Sequence, residues 1–496
     1  MIEGLPPGGR GALWIDGAWV APDGGRFAPV VDPSTGRVLA EAPVASPEQA
    51  RAAVDAAAER EETWAAVPGH ERARILRAAG RRLTDDREPL ARLIASEVGK
   101  PIVDARVEVD RAAGVFELAA EEIRLLGGES FPADAYPRPA GNEHRYLFSV
   151  REPVGVVCAI GPFNFPLNLL SHKVAPALAA GNPVVAKPTS AAPFTAMRLA
   201  THLAAAGLPG GVLNVVVGPG STVGDALVEH PRTRLVTFTG STEVGRAIAA
   251  KAGRDTKRLI LEMGGLDPFV VLEDAPLESS VADAARGIFG YAGQVCTASK
   301  RILVHEAIAD RFAHRLAERA KALRLGPALD EATEVGPVID RPALARLEEL
   351  VGEARGRSAE LLAGGERRVI GEGSYFAPTV LDRVPEEARV VREEPFGPLA
   401  PIVRFGSVED AVRIANATPY GLQAAVYTRD IARGFQLARR IRAGGVHLND
   451  PTNLRWDALP FGGVRASGLG REGVRYAMHE MTEVKLISIN YASPTS

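Results

Sequence analysis

Of the two cysteines in the sequence, Cys158 and Cys296, only the second stands among residues that suit chemistry. The run GYAGQVCTASKR places Cys296 among small and polar residues after an apolar helical segment, Val281 to Phe289, as a partly exposed thiol ahead of a new helical turn would be. A thiolate there would be stabilised by backbone N–H groups and would attack a carbonyl carbon. The alternative, a buried cysteine acting as a small hydrophobe, is favoured on base rates and fits Cys158, inside VVCAI, better still. Glu262 ends the apolar strand LILEMGG, where a carboxylate is costly unless it is hydrated or used. Burial would raise its pKa toward neutrality and suit a general base that activates water. A core glutamate satisfied by backbone amides explains the same position equally well. Asn164, in GPFNFPLN, carries an amide able to donate to a developing oxyanion, a bond worth about 3 kcal/mol. A turn-forming asparagine is the simpler reading of that residue alone.

These three residues need rigid elements to hold them. Leu13 to Val20 reads LWIDGAWV, a hairpin signal because Asp16-Gly17 tolerates positive φ. Ser46-Pro47-Glu48-Gln49 predicts a helix start, and Ala-, Arg-, Glu- and Leu-rich helical patterning continues to about Leu126 as a helical layer. From Pro153 the pattern changes to short β-branched runs at 154–160, 183–188, 212–218, 234–240 and 257–263, separated by stretches long enough for crossover helices. Near-continuous apolar strands of this kind predict a doubly wound parallel sheet covered on both faces. Such a sheet binds ligands beyond the carboxyl ends of its strands, so nucleotide binding is the first expectation. The glycine runs 218–224 and 240–245 sit at strand-to-helix junctions, but neither has the GxGxxG spacing, and tight turns explain each as readily. A second alternating region from about Gly265 to Gly444, with strands at 268–272, 300–305 and 424–428, predicts another α/β domain. The segments 144–153 and 482–490 read as isolated strands at domain edges and are expected to form an oligomer interface.

Composition narrows the function. With 496 residues, 46% of them apolar, the chain can bury two or three full cores. The 58 basic and 61 acidic side chains leave a net charge of −3, without the basic excess that nucleic acid recognition needs. No CxxC or HExxH spacing supports a metal site. Neither a signal-peptide core at Met1 to Trp14 nor an apolar run of membrane-spanning length is present, so a soluble, cytoplasmic protein is expected.

In order along the chain, IDGAWV, PFNFP, the lysine of VAKPTS, FTGSTEVG, LEMGG, GQVCTASKR, EEPFGP and PFGGVRASGLGRE closely resemble the motifs of the aldehyde dehydrogenase superfamily. The resemblance covers nearly the whole chain. It implies an α/β fold with a Rossmann-type dinucleotide-binding domain over 1–128 and 154–263 and an α/β catalytic domain over 264–464. A small β oligomerisation element would occupy 129–153 and 465–496, in a homo-oligomer, dimer or tetramer. The family's nucleophile falls on Cys296, its general base on Glu262 and its oxyanion amide on Asn164, with Lys173 a lysine often placed near that site. Lys187 matches the residue that holds the adenosine ribose, Gly240 and Ser241 the turn beside the pyrophosphate, and Glu394 and Phe396 those positioning the nicotinamide ribose and ring. Phe163 joins the same cofactor set. Where NAD-preferring members often carry glutamate three residues after the lysine, this chain has Ser190, which removes a repulsion toward a 2′-phosphate. The cofactor is therefore expected to be NADP or NAD, with NADP accepted.

The resemblance also bears on the substrate. The arginine that holds the distal carboxylate in succinate-semialdehyde members aligns with His172, and Val295 replaces an arginine common in members acting on phosphorylated glyceraldehyde. NDPTNLRWDALPFGG looks like the branch that handles lactaldehyde, glyceraldehyde phosphate and sulfo- or phosphono-aldehydes, and it puts Arg455 where many members have an aromatic funnel residue. Arg111, His172, Thr297 and Arg455 form the expected substrate set, suited to a small anionic or hydroxylated aldehyde. The alternative is that Arg111 and Arg455 form solvated or interdomain salt bridges. A CoA-acylating semialdehyde dehydrogenase is the competing enzyme, disfavoured because Glu262 is present. A non-catalytic, crystallin-like protein that kept the fold is the competing non-enzyme.

Overall fold

Asp16 and Gly17 adopt left-handed backbone angles, φ 50° and 78°, so the turn closes and Leu13–Ile15 pairs antiparallel with Ala18–Val20. In the computed structural model, which describes residues 9–491, this hairpin forms one edge of an eight-stranded sheet. The centre of the sheet is five parallel strands in the order Leu213–Val215, Val184–Lys187, Val156–Ile160, Thr233–Thr239 and Arg258–Glu262. Each lies within a residue or two of its expected run, with the third run shortened to three residues. The chain order reverses at Val156–Ile160, so crossovers to either side leave on opposite faces and a crevice opens beyond the strand ends. Gly468–Leu469 closes the far edge antiparallel to Arg258–Glu262.

The helical layer starts where the cap residues put it. Ser46 accepts from the Gln49 backbone while the Gln49 side chain returns to Ser46, a complete capping box on Pro47–Ala58. Helices Gly69–Asp85, Arg87–Val98 and Ile102–Glu122 follow and share one core with Asn168–Ala180, a helix buried at every position. Two acidic side chains of this layer cap helices of the sheet from outside. Glu97 accepts from the backbone N–H groups of Phe194 and Thr195 at 2.8 and 3.1 Å, and Glu108 from those of Leu167 and Asn168 at 2.9 and 3.1 Å. Neither capped helix has a side-chain cap of its own, so these carboxylates satisfy the orphan donors.

A second sheet of seven strands runs in the order Glu360–Ala363, Thr379–Asp382, Leu399–Phe405, Arg301–His305, Pro268–Val271, Gln423–Tyr427, Gly445–Leu448. Only the first pair is antiparallel. Sequence pattern marks three of these strands, and the others are recognisable only once their partners are in place.

The segments read as isolated edge strands are in fact partners. Thr482–Asn490 pairs antiparallel with Arg145–Pro153 along its whole length, and Ser130–Phe131 adds a third strand. Val484, Leu486 and Ile489 stay exposed on the outer strand. No described helix is long and apolar enough to cross a membrane, and no cluster of three or more His, Cys, Asp or Glu among the described residues could hold a metal. Most of the amino-terminal Pro/Gly cluster lies outside the described residues.

Arg301, at the exit of the Cys296 segment into the second sheet, fastens it to the segment before Pro268–Val271 and to the end of helix Val408–Asn416. Its buried guanidinium donates to the carbonyls of Leu266, Ile414 and Ala415 at 2.8, 2.9 and 2.8 Å. Replacing it with methionine strands three buried acceptors, so Arg301→Met should cost about 3 kcal/mol of stability, read as a lower denaturant midpoint.

Candidate active site

All five central strands end on one cleft of about 1170 Å³. Phe163, Lys187, Ser190, Gly240, Ser241, Glu394 and Phe396 all line it, as do Asn164, Glu262 and Cys296. A Cβ on Gly240 would fall 2.5 Å from the Phe238 ring, so the chain can turn there only as glycine. Ser241 then caps Thr242–Ala252 through the Val244 N–H, which turns a helix N-terminus toward the cleft. Lys187 is largely buried at its strand end, and Ser190 is exposed beside it. Further along, Glu394 accepts from the Gly265 N–H at 3.3 Å and pairs with Lys300 at 2.9 Å, and a side chain at Gly264 would collide with its carboxylate. Phe396 takes a positive φ of 47° and meets Phe163 edge to face, centroids 5.7 Å apart. A lysine, a helix N-terminus and a carboxylate lining the same cleft as a pair of aromatic rings fit a dinucleotide cofactor lying along the strand ends.

Glu262 is 2% exposed and no N–H or O–H group donates to its carboxylate oxygens. Burial and then the neighbouring Glu472 push its pKa up to about 8, against the opposing charges of Arg455 and Lys173. The core-glutamate alternative fails, because no backbone amide satisfies it. Burial and the Glu262 charge also push the Cys296 thiol well above its ordinary value, with Lys300 and Arg455 opposing. The thiol is partly exposed, as expected, but the residues after Cys296 lead into Arg301–His305 rather than into a helix. Asn164 is buried, and its Nδ2 donates to the Gln294 carbonyl at 3.0 Å, which ties the loop after Val156–Ile160 to the Cys296 segment.

The remaining expected residues gather around two acids that the sequence reading missed. Lys173 donates to Glu472 at 2.7 Å and to Thr237 Oγ1 at 3.3 Å, and Arg455 Nη2 reaches the other Glu472 oxygen at 3.2 Å. Arg111 holds Asp457 through two bonds of 3.1 and 2.6 Å, while His172 Nε2 lies 2.9 Å from the same carboxylate. Despite burial, these cations hold both Asp457 and Glu472 below the usual carboxylate range. Arg111 and Arg455 thus both form ion pairs, the alternative raised for them from sequence. Thr297 is buried, and its carbonyl accepts from Thr452 at 2.6 Å. Lys300, also missed, donates to the Cys296 carbonyl as well as to Glu394. The available signals were acidic residues set among basic candidates, in LRWD and GLGRE, and a lysine four positions after the cysteine.

The aldehyde dehydrogenase family profile matches residues 19–487. The chain belongs to the aldehyde dehydrogenase family. It is 40% identical to a lactaldehyde dehydrogenase from Methanocaldococcus jannaschii over 96% of this chain and 100% of that one. It is 38% identical to an NADP-dependent succinate-semialdehyde dehydrogenase from Escherichia coli strain K12, over 96% and 97% of the two chains. A solved glyceraldehyde-3-phosphate dehydrogenase from Methanocaldococcus jannaschii, in complex with NADP, superposes with a TM-score of 0.89 at 41% identity, over 94% of this chain and 99% of the other. The enzyme oxidises an aldehyde with a nicotinamide cofactor, NAD or NADP.

Because ionised Glu262 raises the Cys296 pKa, removing that charge should make the thiol easier to ionise. In Glu262→Gln, the pH profile of Cys296 alkylation by iodoacetamide should move to lower pH. Cys158, with no exposed surface, does not compete for the reagent.

Proposed function

We propose that the enzyme converts a small anionic or hydroxylated aldehyde, such as a semialdehyde, lactaldehyde or a phospho- or sulfo-aldehyde, to its carboxylic acid by thioester hydrolysis. The substrate class rests on Arg455. Its side chain is only 9% exposed, it stacks 3.8 Å over Phe461, and its Nε, 3.9 Å from an Asp457 oxygen, makes no hydrogen bond. An unpaired guanidinium N–H in such a setting gains from an acceptor brought by the substrate. Its charge acts on both Glu262 and Cys296, which supports a place at the reacting end. The names of the lactaldehyde and succinate-semialdehyde relatives agree.

In this reading Cys296 adds to the aldehyde carbon as its proton leaves to Glu262, giving a thiohemiacetal. The Asn164 amide and the Cys296 N–H hold its oxyanion. When bound, the oxidised cofactor supplies the hydride acceptor. Once the proton gained from Cys296 has passed to solvent, Glu262 takes a proton from the water that attacks the Cys296 thioester and returns it to the departing sulfur, releasing the acid and restoring the thiol. Lys173 keeps Glu472 in place beside Glu262. Lys187, Gly240 and Ser241 hold the adenosine ribose and pyrophosphate, while Glu394, Phe163 and Phe396 orient the nicotinamide end. Ser190 leaves room for a 2′-phosphate that Lys187 can pair with, so NADP is accepted. The presence of Glu262, a carboxylate able to activate water, favours hydrolysis over transfer to CoA.

The domain reading takes the two large sheets and the three-stranded sheet as its frames, although Gly468–Leu469 of the last segment pairs into the first sheet. The dinucleotide-binding domain is 1–128 with 154–263, the catalytic domain 264–464, and the oligomerisation element 129–153 with 465–496. Exposed Val484, Leu486 and Ile489 support the outer strand as the subunit contact of a dimer or tetramer. Two unpaired cysteines suit a reducing cytoplasm.

Glu262 is protonated, and idle as a base, below its pKa of about 8. Single-turnover thioester hydrolysis should therefore rise with pH through that value, and Glu262→Gln should lose both the rise and about 10²- to 10⁴-fold in rate. Neutral, carboxylated, phosphorylated and sulfonated aldehydes, each run with both cofactors, test the substrate class. Arg455→Leu should raise KM for the anionic aldehydes more than for neutral ones. Equal effects would remove Arg455 from recognition, and an efficiency with NADP far below that with NAD would remove the cofactor reading.

A further inference from the structure

The turn between helices Arg87–Val98 and Ile102–Glu122 buries an ion pair that the proposed chemistry does not use. Lys100 and Glu108 are both without exposed side-chain surface and contact each other directly. One Glu108 oxygen accepts from the Leu167 and Asn168 N–H groups at the start of Asn168–Ala180, and the other takes the Lys100 ammonium. The ammonium lies 3.5 Å from the centroid of the Phe165 ring and 4.7 Å from that of Tyr291. Those two rings meet edge to face, with centroids 6.4 Å apart.

Their positions in the chain give the cluster its meaning. Phe165 follows Asn164 directly, and Tyr291 opens the segment that reaches Cys296 five residues later. That segment is held in an unusual shape, with Tyr291 and Ala292 at φ 47° and 52°. Tyr291 is anchored by its hydroxyl, which donates to the Val98 carbonyl at 2.9 Å. The direct tie between the two loops is the Asn164 bond to the Gln294 carbonyl, and Gln294 is itself fixed by Pro337 and Ile339 at 3.2 and 2.8 Å. A cation between two aromatic faces in a site closed to solvent attracts both, and here it draws the amide-bearing loop and the thiol-bearing loop onto one charge.

We propose that Lys100 is a positioning residue for oxyanion stabilisation: pinned by Glu108 and clasping Phe165 and Tyr291, it sets the separation of the Asn164 amide from Cys296. The inference rests on the roles given above to those two residues. A tetrahedral adduct on Cys296 places its oxygen where the amide must already stand, and a displacement of about 1 Å can cost 10²-fold in rate. Alkylation of the same thiol by iodoacetamide displaces iodide at a saturated carbon and develops no oxyanion. It needs Cys296 but not Asn164.

The test compares the two reactions in the full-length enzyme. Lys100→Met with Glu108→Gln removes both charges together and leaves an amide oxygen to receive the helix N–H groups. Aldehyde turnover should fall by about 10- to 100-fold. Aldehyde KM, cofactor affinity and the Cys296 alkylation rate should stay within about twofold. Turnover within twofold of the parent, or turnover and alkylation lost in step, would overturn the proposal. If the double variant does not fold, Phe165→Leu removes one face of the clasp at nearly constant bulk and should give the same split, or overturn the proposal by lacking it. Asn164→Ala serves as the reference. If it lowers turnover while the clasp variants do not, the clasp alone is wrong, and if it leaves turnover intact, the oxyanion assignment falls and the clasp with it.

Discussion

Glu262 is a buried acid whose pKa is held up by burial and by Glu472, and its charge in turn raises that of the partly exposed Cys296 thiol beside it. Burial penalises the charged form of each, and a neighbouring negative charge adds to it, that of Glu472 for Glu262 and that of Glu262 for Cys296. The balance is set by charges around them. Lys173 and Arg455 pull Glu262 down, Lys300 and Arg455 pull Cys296 down, and Glu472 pushes Glu262 back up. Small displacements of any of these groups would change which acid holds the proton, so the cations must be fixed as firmly as the acids. Lys173 and Arg455 are fixed by Glu472, and Lys300 by Glu394 and the Cys296 carbonyl.

That requirement accounts for how the two sheets meet. Glu262 ends a strand of the first sheet, where the backbone is held on both sides by neighbours, and Asn164 stands in the loop just beyond Val156–Ile160. Cys296, Glu394 and Phe396 come from connections of the second sheet, which have fewer backbone constraints and include residues at positive φ. Side chains supply the missing rigidity: Arg301 grips three carbonyls, Gln294 bridges to Pro337 and Ile339, and Lys100 joins the loops of Asn164 and Cys296. Buried carboxylates at helix starts, Glu97 and Glu108, do the same for the helices behind the cleft. Each is a polar group that folding could bury only by giving it donors.

Local chemistry made much of this legible in the sequence. The Asp16-Gly17 turn, the Ser46 capping box and the apolar runs of the parallel strands depend on neighbours within a few residues, and they appear where the pattern puts them. Cys296, Glu262, Asn164 and the cofactor residues were legible through their motifs, and the strand ends bring them to one cleft. The residues around the substrate end were not. Arg111 and Asp457 are 346 positions apart and Lys173 and Glu472 are 299 apart, so whether a basic side chain is free or already paired depends on which acid the fold delivers to it. The pairing of Arg145–Pro153 with Thr482–Asn490 was hidden for the same reason, since each strand shows its own alternation but not its partner. Sequence by itself determined which residue types stand at the ends of which strands, because turn, cap and periodicity act over short range. Only the tertiary structure decided their charge state, because a pKa in a buried site is set by burial and by charges that arrive from distant parts of the chain.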